Sequence, residues 1–285
     1  MKIPSSWLAC PVCKSKLKKK GKKYVCKECK EVYSTRDDIP IFLPSNTREN
    51  QIFEFLWKRF EPWTNFIFRT PMIRDFISLL DENEEIFSGK ILEIGAGGHG
   101  LSSIVKINRK AKIITTDISF TAIKYNIQTA KFIGKLPDFY AVCDFRKLPF
   151  VDNLFDCVFG ASVINHLESF QFIKEINRVI KPGGYYVGVA EIACSKFFSP
   201  IFQRVKHFNF YERMGLPRPK TITREEYKKG FRSAGFKEVR IDYSKKVEFH
   251  AYSLSTILYY LLISPLPDFV IDNFLCSRVH IIAKK

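Results

Sequence analysis

The chain has no apolar run long enough to cross a bilayer. Its longest, Ala251 to Ile263, is interrupted by serines and stopped by Pro265, well short of the roughly 20 residues a membrane-spanning helix needs. It shows no secretory leader either, since Met1 to Ser6 leads straight into the first cysteines, so a cytoplasmic location is expected. Acidic residues are scarce: 29 Asp and Glu stand against 46 Lys and Arg, for a net charge of +17. Such an excess suggests a polyanionic partner, an RNA or an anionic membrane surface, against the plainer reading of a solvated lysine face. The polar, aromatic-poor composition of disordered chains is absent as well, because 46% of the residues are hydrophobic and 27 are Phe. At 285 residues there is room for one mid-sized α/β core and a small appendage.

The appendage is N-terminal. Cys10-Pro-Val-Cys13 and Cys26-Lys-Glu-Cys29 are two C-x-x-C knuckles with twelve residues between them. Four thiolates on two tight turns suit a closed tetrahedral Zn2+ site, and soft sulfur selects zinc over hard cations. Four protein ligands leave no open position, so such a zinc is structural. Disulfides would need an oxidising compartment that no leader supports. Cys143, Cys157, Cys194 and Cys276 sit singly in apolar stretches and read as core residues.

Further on, Lys90 to Ile94 reads as a buried strand that collapses into Gly95-Ala96-Gly97-Gly98-His99-Gly100 before a helical pattern resumes at Leu101. A glycine turn between strand and helix lets a ligand approach the backbone closely, with free N–H groups at the helix start. Asp117 ends the next apolar run, where a carboxylate can accept from ribose hydroxyls. Gly95, Gly97 and Gly100 satisfy the G-x-G-x-x-G dinucleotide pattern, which is weak by itself. Glu93, Gly95 and Gly97 instead resemble motif I of the class I S-adenosylmethionine-dependent methyltransferases, with His99 where that motif has its third glycine.

Downstream segments resemble the same family. Asp144 followed by Leu148-Pro149-Phe150 and then Phe155-Asp156-Cys-Val158 is similar to its D-x-x-x-L-P-F…F-D-x-V run. Ser162-Val163-Ile164-Asn165-His166-Leu167 resembles the S-x-x-x-H-L segment of small-molecule methyltransferases, and Lys181-Pro-Gly-Gly184 the turn into the fifth strand. The resemblance covers residues 89 to 190. It implies a Rossmann-like, doubly wound seven-stranded α/β sheet with an antiparallel last strand, and S-adenosyl-L-methionine as cofactor. It also implies a cofactor site made of Glu93, Gly95, Ala96, Gly97, His99, Asp117, Ile118, Asp144, Phe145 and Ser162. Asp117 would take the ribose and Asp144 the adenine amino group. His99 would contact the methionine end or cap the helix. His166 is the candidate base, against the plainer reading of a helix-start residue packed under the cofactor.

The stretch Asp38-Ile39-Pro40-Ile41-Phe-Leu43-Pro44 after the second knuckle resembles the small zinc-ribbon proteins and domains that accompany methyltransferases. In that family the module can activate a separate subunit; here its fusion to the enzyme implies a scaffold or substrate-positioning role. The expected organisation is a zinc ribbon over 1–45, an aromatic-rich helical linker or lid over 46–88, and the methyltransferase domain over 89–285. Segments 191–235 and 244–276 are acceptor-side insertions. Thr223 with Glu226 marks a capping box opening a late helix, and Lys237–Tyr243 with Ser277–Ala283 reads as the closing strand pair. Ten lysines against Glu28 alone make the first thirty residues strongly basic.

A small-molecule or lipid-like acceptor is the expected substrate. The alternatives are an RNA base methyltransferase, which the charge favours, and a non-catalytic partner that activates another methyltransferase. Neither the N/D-P-P-Y tetrapeptide of adenine amino methyltransferases nor the Pro-Cys nucleophile of cytosine C5 enzymes follows the fourth strand.

Overall fold

In the computed structural model, residues 2–43, 48–58, 73, 76–164, 170–194, 222–243 and 276–285 are described. Seven strands build the main sheet: β5 (Gly89–Glu93), β6 (Ala111–Asp117), β7 (Phe139–Cys143), β8 (Phe155–Ala161), β9 (Ile180–Cys194), β10 (Glu238–Tyr243) and β11 (Cys276–Lys284). Their spatial order is β7-β6-β5-β8-β9-β11-β10. The first five run parallel, and β11 lies antiparallel to both β9 and β10. The chain order reverses between β5 and β8, which opens a crevice at the carboxyl ends of these strands.

The strands read as nearly continuous apolar runs because both faces are covered. Alternation sorts them. Leu92, Ile114, Val158 and Tyr186 enter one core, while Ile91, Ile113, Phe159 and Val187 enter the other. Crossover helices α2 (Leu101–Asn108) and α3 (Phe120–Ile133) link the early strands, and α4 (Ile173–Val179) and α5 (Arg224–Ser233) the later ones. Ser119 caps α3, and Gly134 ends it in a left-handed conformation. The Thr223–Glu226 capping box forms as expected. Residues 76–82 are helical. Among the described residues, no helix is long and apolar enough to cross a membrane.

The ribbon contributes β1 (Leu17–Lys20), β2 (Lys23–Cys26), β3 (Val32–Arg36) and β4 (Ile39–Phe42). The sequence pattern pointed to a separate module beside a seven-stranded sheet. Instead β4 pairs in parallel with β7, Ile41 opposite Val142 and Phe42 opposite Cys143, so one sheet of eleven strands runs through the molecule. The physical reason is that β7 would otherwise end the main sheet with a row of unpaired backbone groups.

More contacts weld the two parts together. Ala9 N–H donates to the Pro149 carbonyl at 3.1 Å, and Val151 N–H to the Trp7 carbonyl at 3.1 Å. Lys14 pairs with Glu175 at 2.5 Å, and Glu175 with Arg178 at 2.8 Å. Tyr24, Tyr33 and Phe42 share a core with Phe150 and Leu154. Of the expected linker or lid, the structure describes α1 (Arg48–Trp57) and residues 76–88. The aromatics Phe60, Trp63, Phe66 and Phe68 lie outside the described residues, as do most of the two expected insertions.

Candidate functional site

The glycine turn leaves β5 at the switch point of the sheet. Gly95, Gly97 and Gly100 hold φ of +57°, +52° and +70°, a region that side chains with a Cβ adopt at a cost. Space forbids a Cβ as well: at Gly95 it would come 2.6 Å from Val163, and at Gly97 2.8 Å from the Trp57 ring. Asn126 donates to the Gly97 carbonyl at 3.1 Å, and Thr129 to that of Gly98 at 2.8 Å, so α3 fixes the turn's outward form. The sequence reading missed both residues. Their signal was present, as an Asn and a Thr three apart on the otherwise apolar face of a helix.

Asp117 closes β6 beside this turn. One carboxylate oxygen accepts from Gly97 N–H at 2.8 Å, the other from Ser119 N–H at 2.8 Å. Burial pushes its pKa up to about 6 against those donors. Two oxygens with four lone-pair positions, two of them used, leave acceptor capacity for a diol.

Glu93 is placed differently from a ligand-facing acid. It is 1% exposed, and its carboxylate accepts from the Ser102 hydroxyl at the start of α2, which in turn accepts from Thr115 at 2.7 Å. Burial raises its pKa to about 8. It braces the turn from beneath. Ala96 is buried, and its N–H donates to the Thr116 carbonyl at 3.0 Å.

Asp144 ends β7 at the same rim. Arg146 grips it through its own backbone N–H at 2.8 Å and through a guanidinium fork at 2.9 and 2.6 Å. Phe145 and Ile118 are half-buried beside these acids. Ser162, at φ +53°, follows β8, and its N–H donates to Val189 at 2.9 Å. His166 lies outside the described residues.

His99 is buried, one position before Gly100, the N-cap of α2. Its ring packs against Trp57, centroids 6.1 Å apart. Trp57 also meets Tyr125 edge-on at 6.3 Å. Glu54, one turn earlier on α1, accepts from Ser119 Oγ at 2.7 Å, Thr121 N–H at 3.1 Å and Thr121 Oγ1 at 2.5 Å. Helix α1 is thereby tied to the first turn of α3 and lies over the glycines. The aromatic stripe suggested a lid without indicating which residues would meet the turn.

In the ribbon, the Sγ atoms of Cys10, Cys13, Cys26 and Cys29 all lie within 4.8 Å of one another, and three of the pairs are 3.4 to 3.6 Å apart. Tetrahedral zinc–thiolate bonds of about 2.3 Å require sulfur separations of about 3.8 Å, so the donor set fits that ion. Lys14 and Lys30, each just past the second cysteine of a knuckle, adopt φ of 61° and 64°. Tyr33 Oη sits 3.3 Å from Cys10 Sγ, a second layer around the cluster. Cys143 and Cys157 are buried core residues.

Strand order, glycine turn and the two rim acids together define a Rossmann-like methyltransferase fold. Residues 92–188 match a family model described as a methyltransferase domain. This segment is a methyltransferase domain similar to those of the class I S-adenosylmethionine-dependent methyltransferases. It is 28% identical over 114 residues to 24-methylenesterol C-methyltransferase 2 of Arabidopsis thaliana, 38% of this chain and 30% of that one. The chain thus spans less than a third of that relative's length. A UPF0434 protein of Nitrosococcus oceani is 50% identical over 44 residues, 15% of this chain and 75% of that protein, and the matching segment belongs to that family. Among solved structures, a Haemonchus contortus phosphoethanolamine N-methyltransferase 2 in complex with S-adenosyl-L-methionine superposes with a TM-score of 0.57. The match has 16% identity and covers 86% of this chain and 61% of that one, a likeness of fold.

Proposed function

We propose that the protein transfers the methyl group of S-adenosyl-L-methionine to carbon in a small, apolar, lipid-like acceptor. The observation that carries the cofactor half is Asp117, a buried carboxylate with spare acceptor capacity beside a turn with no room for a Cβ. The sterol C-methyltransferase relative supports the acceptor class.

When bound, the cofactor supplies an electrophilic methyl carbon. The chain's own work is then positional. Gly95 to Gly98 present backbone, Asp117 accepts from the ribose, and Asp144, oriented by Arg146, accepts from the adenine amino group. Helix α1, with Trp57, acts as a lid that keeps water from the turn. Aligning an acceptor in line with the methyl group contributes most of the rate, and a base is needed only where the acceptor must lose a proton. Zinc in the four-cysteine cluster has a structural role, since no ligand position remains open.

Tritiated methyl transfer into extract fractionated as lipid, small molecule, RNA and protein tests this reading. Label in the lipid or small-molecule fraction is expected, and label in RNA alone would overturn it. Separately, S-adenosylhomocysteine raises the melting temperature if the site binds it; no shift would refute the cofactor assignment.

A further inference from the structure

The ribbon sheet has one buried face and one open face, and they differ in kind. Leu17, Tyr24, Cys26, Tyr33 and Phe42 point into the shared core. On the opposite face the register aligns Lys18, Val25 and Val32 in one row, and Lys20, Lys23 and Ser34 in the next. Arg36 continues this face along β3. Lys18, Lys20, Lys23 and Arg36 are exposed, and Val32 is 52% exposed among them. None of the strand residues on this face is acidic.

The face continues onto α3. Phe120 and Ile127 pack against Ile39 and Ile41 of β4, and the Arg36 guanidinium lies 4.5 Å over the Phe120 ring. Four residues beyond each of those contacts stand Lys124 and Lys131, both exposed. Lys18, Lys20, Lys23 and Arg36 thus share the ribbon face with an exposed valine, and Lys124 and Lys131 stand on the helix packed beside it. Lysines on β1 have a simpler use, since they guard the free edge of the sheet against pairing with another chain. That does not account for Lys23 and Arg36 on interior strands, or for Lys124 and Lys131 on a helix.

We propose that this face docks on an anionic lipid bilayer. The lysines supply charge complementarity to the headgroups, and Val25 and Val32 supply apolar contact at the level of the interface. Lysine-dominated charge around a small apolar centre fits a diffuse anionic surface better than the bidentate phosphate forks that favour arginine. The face ends at α3, whose first residue, Phe120, is three positions past Asp117. Docking would bring a lipid-like acceptor within reach, and in that respect the inference rests on the function proposed above.

Co-sedimentation of the full chain with phosphatidylglycerol-containing vesicles and with pure phosphatidylcholine vesicles tests it. Binding is expected to the anionic vesicles only, and to decline with added salt. The triple variant Lys18→Gln, Lys20→Gln, Lys23→Gln is expected to bind about a hundredfold more weakly, at about fivefold per lysine. Its melting temperature and its affinity for S-adenosylhomocysteine are expected to stay unchanged, which separates lost docking from lost folding. Equal binding to both vesicle types, full binding by the variant, or binding to single-stranded RNA but not vesicles would overturn the proposal. Cofactor binding is measured without vesicles, so its failure is read independently.

Discussion

At Asp117 two N–H donors and a buried setting pull in opposite directions, and burial wins, leaving the pKa at about 6. In the proposed site, ribose hydroxyls would donate to the ionised form. Affinity for S-adenosylhomocysteine is therefore expected to be full above about pH 6 and to decline as pH falls below it, as calorimetric titration would show. Asp117→Asn should weaken binding by about 1–3 kcal/mol and flatten that dependence. Unchanged affinity would remove Asp117 from the site. Glu93 works in the other sense, on stability. Its folded pKa of about 8 lies above its ordinary value of 4.5, so the folded chain keeps a proton that the unfolded chain releases between those values. Stability from this group falls as pH rises through that window. Glu93→Gln is expected to flatten the pH dependence of the melting temperature between about pH 5 and 8.

Helix α1 lies over the glycine turn through Trp57. Burial alone would raise the pKa of Glu54, but the hydrogen bonds from Thr121 and Ser119 outweigh it, and the pKa is lowered. The tie is thus strongest when Glu54 is ionised. Trp57→Ala should open the lid: hydrogen exchange at residues 95–100 is expected to quicken without loss of the global melting transition. Protection equal to that of the parent protein would show that α1 does not cover the turn. Gly97→Ala combines an unfavourable φ with a 2.8 Å approach to the Trp57 ring. A loss of about 1–3 kcal/mol in stability is expected, read by chemical denaturation.

The whole molecule unfolds as its sheet dictates. Ribbon and methyltransferase domain share one sheet and a core, so chelation is expected to lower the melting temperature of the entire chain in one calorimetric transition. Two independent transitions would show that the ribbon folds alone. Metal analysis should find about one zinc per chain.

Much of this was legible in one dimension. Glycines that need positive φ, paired cysteines at knuckle spacing, strand-length apolar runs and the Thr223–Glu226 box are local requirements, written in the residues that meet them. Asp117, Asp144 and the four thiols could be located because each stands next to such a signal. What lacked a local signature was whatever depends on neighbours far apart in the chain. Trp57 over Gly97, Glu54 on Thr121, and the inward turn of Glu93 and His99 follow from where α1, α2 and α3 come to rest. The ribbon's place was likewise set by the edge of β7, which β4 completes. Chemistry confined to a turn or a knuckle is fixed by adjacent residues, whereas a sheet edge or a lid is satisfied across space, where backbone pairing and burial choose the partner.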